Sequence, residues 1–299
     1  MSFLNPVNEP VLRFSSTDAG APQINYNTRV AGDVKAVLKS CLVTGYGSKA
    51  SAGWSIVNEV DHVAEFVSPS TAMSDYRLGI DDTSATNTIW YYLHQGVKVI
   101  PVNNEHKKAF NSIDKLNASN GWQLLVTERG IYFIEMLYNV GVNDRLARVT
   151  YWGQVKSALT DANAKNIAYW CVGYGEAQNA PYQFFGAATK NHYHLGAYTA
   201  LRFTATNLPF LSVTARVYGL STVDITDALY LYTSDCFAGQ HPGILLKHVN
   251  NISNLYGVKD EVFDGRPVLS VCIGYENGSA TVAADYSRSI LLYLDTWGY

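Results

Sequence analysis

Residues 121–137 read GWQLLVTERGIYFIEML. In an extended chain successive side chains point to opposite faces, so Trp122, Leu124 and Val126 share one. Thr127 to Gly130 supplies the turn, with Gly130 free to take a positive φ. The return run puts Tyr132, Ile134 and Met136 on one face, or Ile131 and Phe133 on it, depending on register. Aromatic and β-branched residues at period two are the mark of strands, so the segment predicts a β-hairpin.

The same style extends in both directions. Val63 to Val67, Tyr76 to Ile80, Thr88 to Leu93 and Val97 to Val102 read as strands, separated by turn residues such as Ser68-Pro69-Ser70 and Asp81-Asp82-Thr83. Residues 103–121 are polar and poorly periodic, and predict a surface loop or a short helix plus loop. Beyond the hairpin, Arg148 to Val155, Ile167 to Val172, Thr199 to Ala205, Leu211 to Val217, Ala228 to Tyr232, Gly243 to His248, Pro267 to Tyr275 and Ser289 to Thr296 continue the pattern. Ser157 to Ala164 reads as a helical turn. Gly45-Tyr46-Gly47 recurs as Gly173-Tyr174-Gly175, each after an apolar run with a cysteine.

One segment carries the helical period. Val34, Val37, Leu38, Cys41 and Leu42 recur at i, i+3, i+4, i+7 and i+8. Asp33 stands at its start and Lys39 near its end, each with the sign the helix dipole favours, and Gly45 and Gly47 stop it. This predicts a helix at about 33–43. The fold expected is mainly β, sandwich-like, with one short N-terminal helix and an extended N-terminal arm. The arm is 1–30, broken by Pro6, Pro10, Gly20 and Pro22; 31–192 is a first β-rich domain; 193–299 is a second, or a continuation of the same sandwich.

Composition bounds the function. The 299 residues include 22 Lys and Arg and 25 Asp and Glu, 16% charged, against about 25% in an average soluble chain. The apolar share, 47%, excludes disorder, and no apolar run is long enough for a membrane helix. Net charge is −3 with no basic block, which argues against nucleic-acid and membrane-surface partners. The first residues, MSFLNPVNEPVLRF, hold no basic n-region or apolar h-region, so an unsecreted product of a cytoplasm is expected. Cys41, Cys171, Cys236 and Cys272 form no CxxC pair and read as buried thiols. The sequons at Asn117, Asn251 and Asn277 then carry no glycan. Aromatics are plentiful: Tyr occurs 21 times. Tyr joins an apolar face to a hydroxyl, which suits a core, a protein contact or a sugar-stacking face.

Few residues suggest chemistry. His192 and His194 form an H-x-H pair that one strand face would present to a metal, but no third ligand lies nearby. Asp81-Asp82 could bind Ca²⁺ or do acid–base work, yet adjacent acids before Thr83-Ser84 more often make a turn. Asp235-Cys236 near His241 has a nucleophile's residue types without its geometry. Nucleotide, metalloprotease and hydrolase motifs are absent, and Gly45-x-Gly47 ends a helix instead of opening one. No catalytic, cofactor-binding or metal residue is assigned.

The stretch 32–57, GDVKAVLKSCLVTGYGSKASAGWSIV, resembles a family of tailed-bacteriophage virion proteins. The residues carrying the likeness are Gly20-Ala21-Pro22, the run Cys41 to Gly47, Gly53-Trp54, and Tyr76 to Asp82. Gly121-Trp122, Gly130-Ile131-Tyr132-Phe133 and Tyr151-Trp152-Gly153 extend it, over about 19–160 apart from 83–118. These motifs are structural punctuation, so no active site carries over. The resemblance implies a non-enzymatic virion component, on the capsid as decoration, at the neck or on the tail. Such a protein would be a homo-oligomer, bound to other virion proteins through Tyr-rich surfaces and the arm. The other readings are a host-receptor or glycan-binding module and, more remotely, a glycan hydrolase, which needs two placed carboxylates.

Overall fold

A computed structural model describes residues 7–24, 30–74, 76–83, 88–95, 107–111, 121–138, 145–154, 156–157, 167–173, 193–195, 200–202, 225–232, 237–249, 258–276 and 286–299. Among these residues the fold is mainly β with one short α-helix near the N-terminus, as the sequence predicts.

The hairpin forms from Trp122–Val126 and Gly130–Tyr138, paired Trp122↔Glu135, Leu124↔Phe133 and Val126↔Ile131. It sits inside a seven-stranded antiparallel sheet, flanked by Leu12–Ser15 on one side and Arg145–Gln154 on the other. Ile167–Gly173, Tyr193–Leu195 and Ala200–Arg202 complete it. The expected domain boundary near 193 thus falls inside one sheet.

Both faces of this central sheet are buried. Trp122, Leu124, Val126, Ile131, Phe133 and Trp152 point into a first core. Leu125, Tyr132, Ile134, Ala147, Val149 and Tyr151 point into a second. Alternation at period two therefore divides one apolar run between two interiors, which is why the run is continuous.

The first core is closed by the helix Asp33–Lys39 and by a five-stranded meander, Ser55–Val60, Val63–Val67, Tyr76–Asp81, Thr88–Gln95 and Lys107–Asn111. Val34, Val37, Leu38, Cys41, Leu42, Phe66, Leu78 and Ile80 are its buried contribution. The second core is closed by a sheet of Ile225–Tyr232, Phe237–Val249, Tyr286–Tyr293, Arg266–Glu276 and Val258–Phe263, joined by the short Lys156–Ser157. Ile244, Leu269, Val271, Ile290 and Leu292 face the central sheet, giving the expected sandwich.

The α-helix is shorter than predicted and ends in a widened π-type turn, Ser40–Thr44. Gly45 N–H reaches back to Ser40 O at 2.8 Å. The returning chain explains the widening: Ala52 N–H donates to Cys41 O at 2.8 Å and Trp54 N–H to Leu42 O at 2.9 Å, satisfying helix-end carbonyls from outside.

Local details add to or differ from the expected pattern. Within the expected 103–121 loop, Lys107–Asn111 is a strand paired with Thr88 to Tyr92. It is the meander's last strand, and lysines suit a sheet edge. Ser157 ends a short strand, and the rest of the helical turn expected at 157–164 lies outside the described residues. Gly130 takes no positive φ; what needs a glycine there is space, because a Cβ would lie 2.8 Å from Tyr299 Oη. The two GYG copies differ in setting: Gly45 follows a helical turn, whereas Gly173 ends a strand.

The described part of the expected arm is woven into the protein. Leu12–Ser15 pairs with Gln123 to Val126, and Asn8–Pro10 pairs with Thr296–Gly298 in a separate two-stranded ribbon. Its physical reason is the apolar content of the stretch: Phe14 and Ile24 are buried in the first core, and Val11 packs on the second. The strands expected at Val97 to Val102 and Leu211 to Val217 lie outside the described residues.

Candidate functional site

The segments that carry the family resemblance meet around the first core. Gly20 and Gly47 are in backbone contact: a Cβ on Gly20 would lie 3.2 Å from Gly47 Cα, and one on Gly47 would overlap Ala19 O. Asp18 ties the two turns together. Its Oδ2 accepts from Ser15 N–H at 2.8 Å, Tyr46 Oη at 2.7 Å and Lys49 Nζ at 2.6 Å. Burial pushes the Asp18 pKa up, but the Lys49 and Tyr46 bonds outweigh it and hold the carboxyl below its ordinary range. Trp122 Nε1 donates to Pro22 O at 2.9 Å, and Trp54 Nε1 to Thr127 O at 3.3 Å. Gly153 backs on Gly130, where a Cβ would stand 2.5 Å from Gly130 Cα.

Asp81 and Asp82 are placed by the end of one strand, with different duties. Asp81 Oδ1 accepts from Thr83 N–H at 3.2 Å and Thr83 Oγ1 at 2.6 Å, the side-chain turn its sequence suggests. Asp82 is fully buried and caps the helix: its Oδ2 accepts from Val34 N–H at 2.8 Å and Lys35 N–H at 3.2 Å. Gly32, at φ 93°, occupies the N-cap position and has no side chain to do this. Asp33, the acid expected at the helix start, instead accepts from Val30 N–H at 3.0 Å. With its carboxylate turned onto helix amides, Asp82 is not presented to a metal or a substrate.

A second polar cluster lies at the junction of the termini with the central hairpin turn. Arg129 Nε donates to Glu9 Oε1 at 2.5 Å, and Arg129 NH1 lies 3.4 Å from Gln154 Oε1. The guanidinium also rests over the Tyr299 ring, 5.8 Å from its centroid. Thr127 Oγ1 and Tyr299 Oη share a hydrogen bond of 2.6 Å, and Tyr151 Oη donates to Gln154 O at 2.5 Å. Burial raises the Glu9 pKa, with Arg129 pulling it partly back, and burial drives the Tyr151 and Tyr299 hydroxyls upward. Nothing in the sequence pattern joins Glu9 to Arg129; only the ribbon brings them together. The cluster has one buried carboxylate bound to a guanidinium. Glu128 lies near enough to add like charge, and the Glu9–Arg129 pair fastens the N-terminal strand to the hairpin turn.

Among the described residues, the remaining candidates are not brought together. His194 lies in the central sheet's strand Tyr193–Leu195, whereas His192, Asp235 and Cys236 are outside the described residues. His241 is 1% exposed and packs edge-on against the Tyr151 ring, 5.3 Å between centroids. Cys41 is buried and burial pushes its thiol well up, so it is no nucleophile. Among the described residues no group of three His, Cys, Asp or Glu could hold a metal ion, and no helix is long and apolar enough to cross a membrane.

The Tyr-rich surface expected from composition is an interior where it is described. Tyr76, Tyr132, Tyr151 and Tyr299 are buried, and Tyr46 and Tyr293 are partly so. Among the described residues, the large apolar side chains that reach the surface are aliphatic: Leu12, Val30, Val57, Val60 and Val262. No family model matches the chain, and none of the curated proteins or solved structures matches it either.

Proposed function

We propose that the chain is a non-enzymatic structural protein of a tailed-bacteriophage particle, packed on neighbouring subunits as capsid decoration or at the neck or tail. The observation that carries this reading is the fate of the resembling motifs. Gly20, Asp82, Trp54, Trp122, Gly130 and Gly153 all serve as joints between elements, and each spends its polar or steric specificity internally. A sequence pattern devoted to joints suits a protein whose task is shape. Low charge supports the same reading, since a subunit inside an assembly needs less charge to stay dispersed than a free monomer does.

The contact surface in this reading is aliphatic and polar in the described regions, with the N-terminal segment as a structural participant. A stable contact buries at least roughly 1,000 Å². Partners are other virion proteins and copies of the chain itself. The test is quantitative mass spectrometry of purified particles, with density from electron microscopy to place the copies. Stoichiometric copies at repeated positions support the reading. A chain absent from particles, or one that binds host glycan saturably in solution while being absent from the shell and neck, defeats it.

A further inference from the structure

We infer that the terminal ribbon is an exchangeable strap: Asn8–Pro10 can leave Thr296–Gly298 of its own chain and pair with the same strand of a second copy. The ribbon is a two-stranded sheet that joins none of the others, with register Asn8↔Gly298, Glu9↔Trp297 and Pro10↔Thr296. Two-stranded ribbons are marginal by themselves. Val7 and Tyr299 exchange backbone bonds of 3.1 and 3.0 Å, and Val11 N–H donates to Asp295 O at 3.0 Å. Ladder bonds alternate, so Pro10 falls opposite Thr296 at a pair that needs no N–H. The strap is thus held by few bonds, and proline costs it none.

Its side-chain anchor is half made. Glu9 Oε1 meets Arg129, but Oε2 is buried with no partner at full hydrogen-bond distance, and the Thr127 hydroxyl that bears on it is shared with Tyr299. The residues facing Glu9 are Arg129, Thr127, Tyr299 and Tyr151, with Glu128 nearby adding like charge. A buried carboxylate with one unsatisfied oxygen favours opening, because water satisfies it.

The root of the strap is firm. Leu12–Ser15 is paired along its length to the central sheet, Arg13 bonds Gln123 at 2.8 Å and Asp260 at 2.9 Å, and Ser16 N–H donates to Trp122 O at 2.9 Å. Opening therefore hinges at Val11. Since the receiving strand belongs to the same sequence, a second copy offers the same ladder and the same Arg129. Closed and exchanged forms differ only in whose groove is filled, and concentration decides between them. Four extended residues reach about 13 Å, so the second copy must abut. The inference rests on the proposed function only for the source of that crowding, a particle lattice.

The test uses the pure chain. Asn8 and Gly298 face each other at a non-hydrogen-bonded pair, with a Cα separation of about 4.5 Å, inside disulfide range. The doubly substituted N8C/G298C should close within one chain when dilute, which checks the register. N8C and G298C made separately, then mixed and oxidised, should give several-fold more mixed disulfide than either homodimer, rising with concentration. The unsubstituted chain controls for native thiols. Random collisions would yield the mixed disulfide at only about twice either homodimer, the statistical ratio for equimolar chains. Mixed disulfide at or below that twofold statistical excess at every concentration, or a double variant that fails to close, overturns the inference. Neither outcome depends on whether the chain is found in a particle.

Discussion

Replacing Asp82 with alanine removes the cap of the only α-helix among the described residues. The change strands two amides, Val34 N–H and Lys35 N–H, whose acceptor lies about fifty residues away in sequence. Both residues are buried, Val34 completely and Lys35 at 8% exposure, so water does not replace the carboxylate. Loss of an N-cap costs about 1–2 kcal/mol at accessible helix ends. A buried donor left unsatisfied costs about 1–3 kcal/mol. The two ranges overlap in what they count, and together place Asp82→Ala near 3 kcal/mol. The helix has only seven residues and cannot persist alone, so the loss should spread to Val37, Leu38 and the first core. Asp82→Asn keeps an acceptor oxygen and loses the charge at the dipole's positive end, so about 1 kcal/mol is expected. Asp33→Ala, which touches only Val30 N–H on the surface, should cost less still. Urea unfolding of the wild type and the three variants gives the order directly. Asp82→Ala within about 0.5 kcal/mol of wild type, or less damaging than Asp33→Ala, would refute the long-range cap.

Three further outcomes follow from particular contacts. Trp54→Ala and Trp122→Ala should each cost about 3–5 kcal/mol by urea titration, since both indoles are buried and hydrogen-bonded to backbone carbonyls. Gly243→Ala should unfold the second core or shift its midpoint by more than about 3 kcal/mol, because a Cβ would sit inside the Trp297 ring, while Gly265→Ala, with open space at φ 73°, should cost only about 1–2 kcal/mol. The pH dependences of Glu9 and Asp18 should have opposite signs. The Glu9 pKa is raised above its ordinary value of 4.5, so its favourable contribution is present below that value and is lost as pH rises through the folded pKa. The stability of wild type relative to Glu9→Gln should therefore grow as pH falls. The Asp18 pKa is lowered below 3.8, so the advantage of wild type over Asp18→Asn is present above that value and shrinks as pH falls further. Calorimetry from neutral to acid pH separates the two.

What the sequence reveals here depends on how local its causes are. The hairpin is legible because period two and its turn lie within seventeen residues, 121–137. Its two-sided burial is written there too: Leu124-Leu125 and Ile131 to Ile134 leave no polar face, the pattern of a strand covered on both sides. The helix is legible from its period, but its cap is not, since Asp82 arrives through tertiary structure. Edge strands hide for a physical reason. Asn8–Pro10, Lys107–Asn111 and Val258–Phe263 lie at sheet margins, where charge and proline are tolerated and periodicity is lost. A signal was present for the last of these: Asp264-Gly265, both at positive φ, makes the tight turn into Arg266–Glu276. The Tyr count could not separate core from surface, because the same ring and hydroxyl suit both; where described, the core has them. The Glu9–Arg129 cluster depends on the ribbon of the two termini, which no spacing rule encodes.

The proposed role is that of a structural component packed on neighbouring subunits of a bacteriophage particle. The decisive measurement is quantitative mass spectrometry of bacteriophage particles purified from the source of the chain, with copies counted against the major shell protein. A structural component should be present at a fixed stoichiometry that survives washing, with density at symmetry-related sites. Particles of full infectivity that contain no copies of the chain would contradict it.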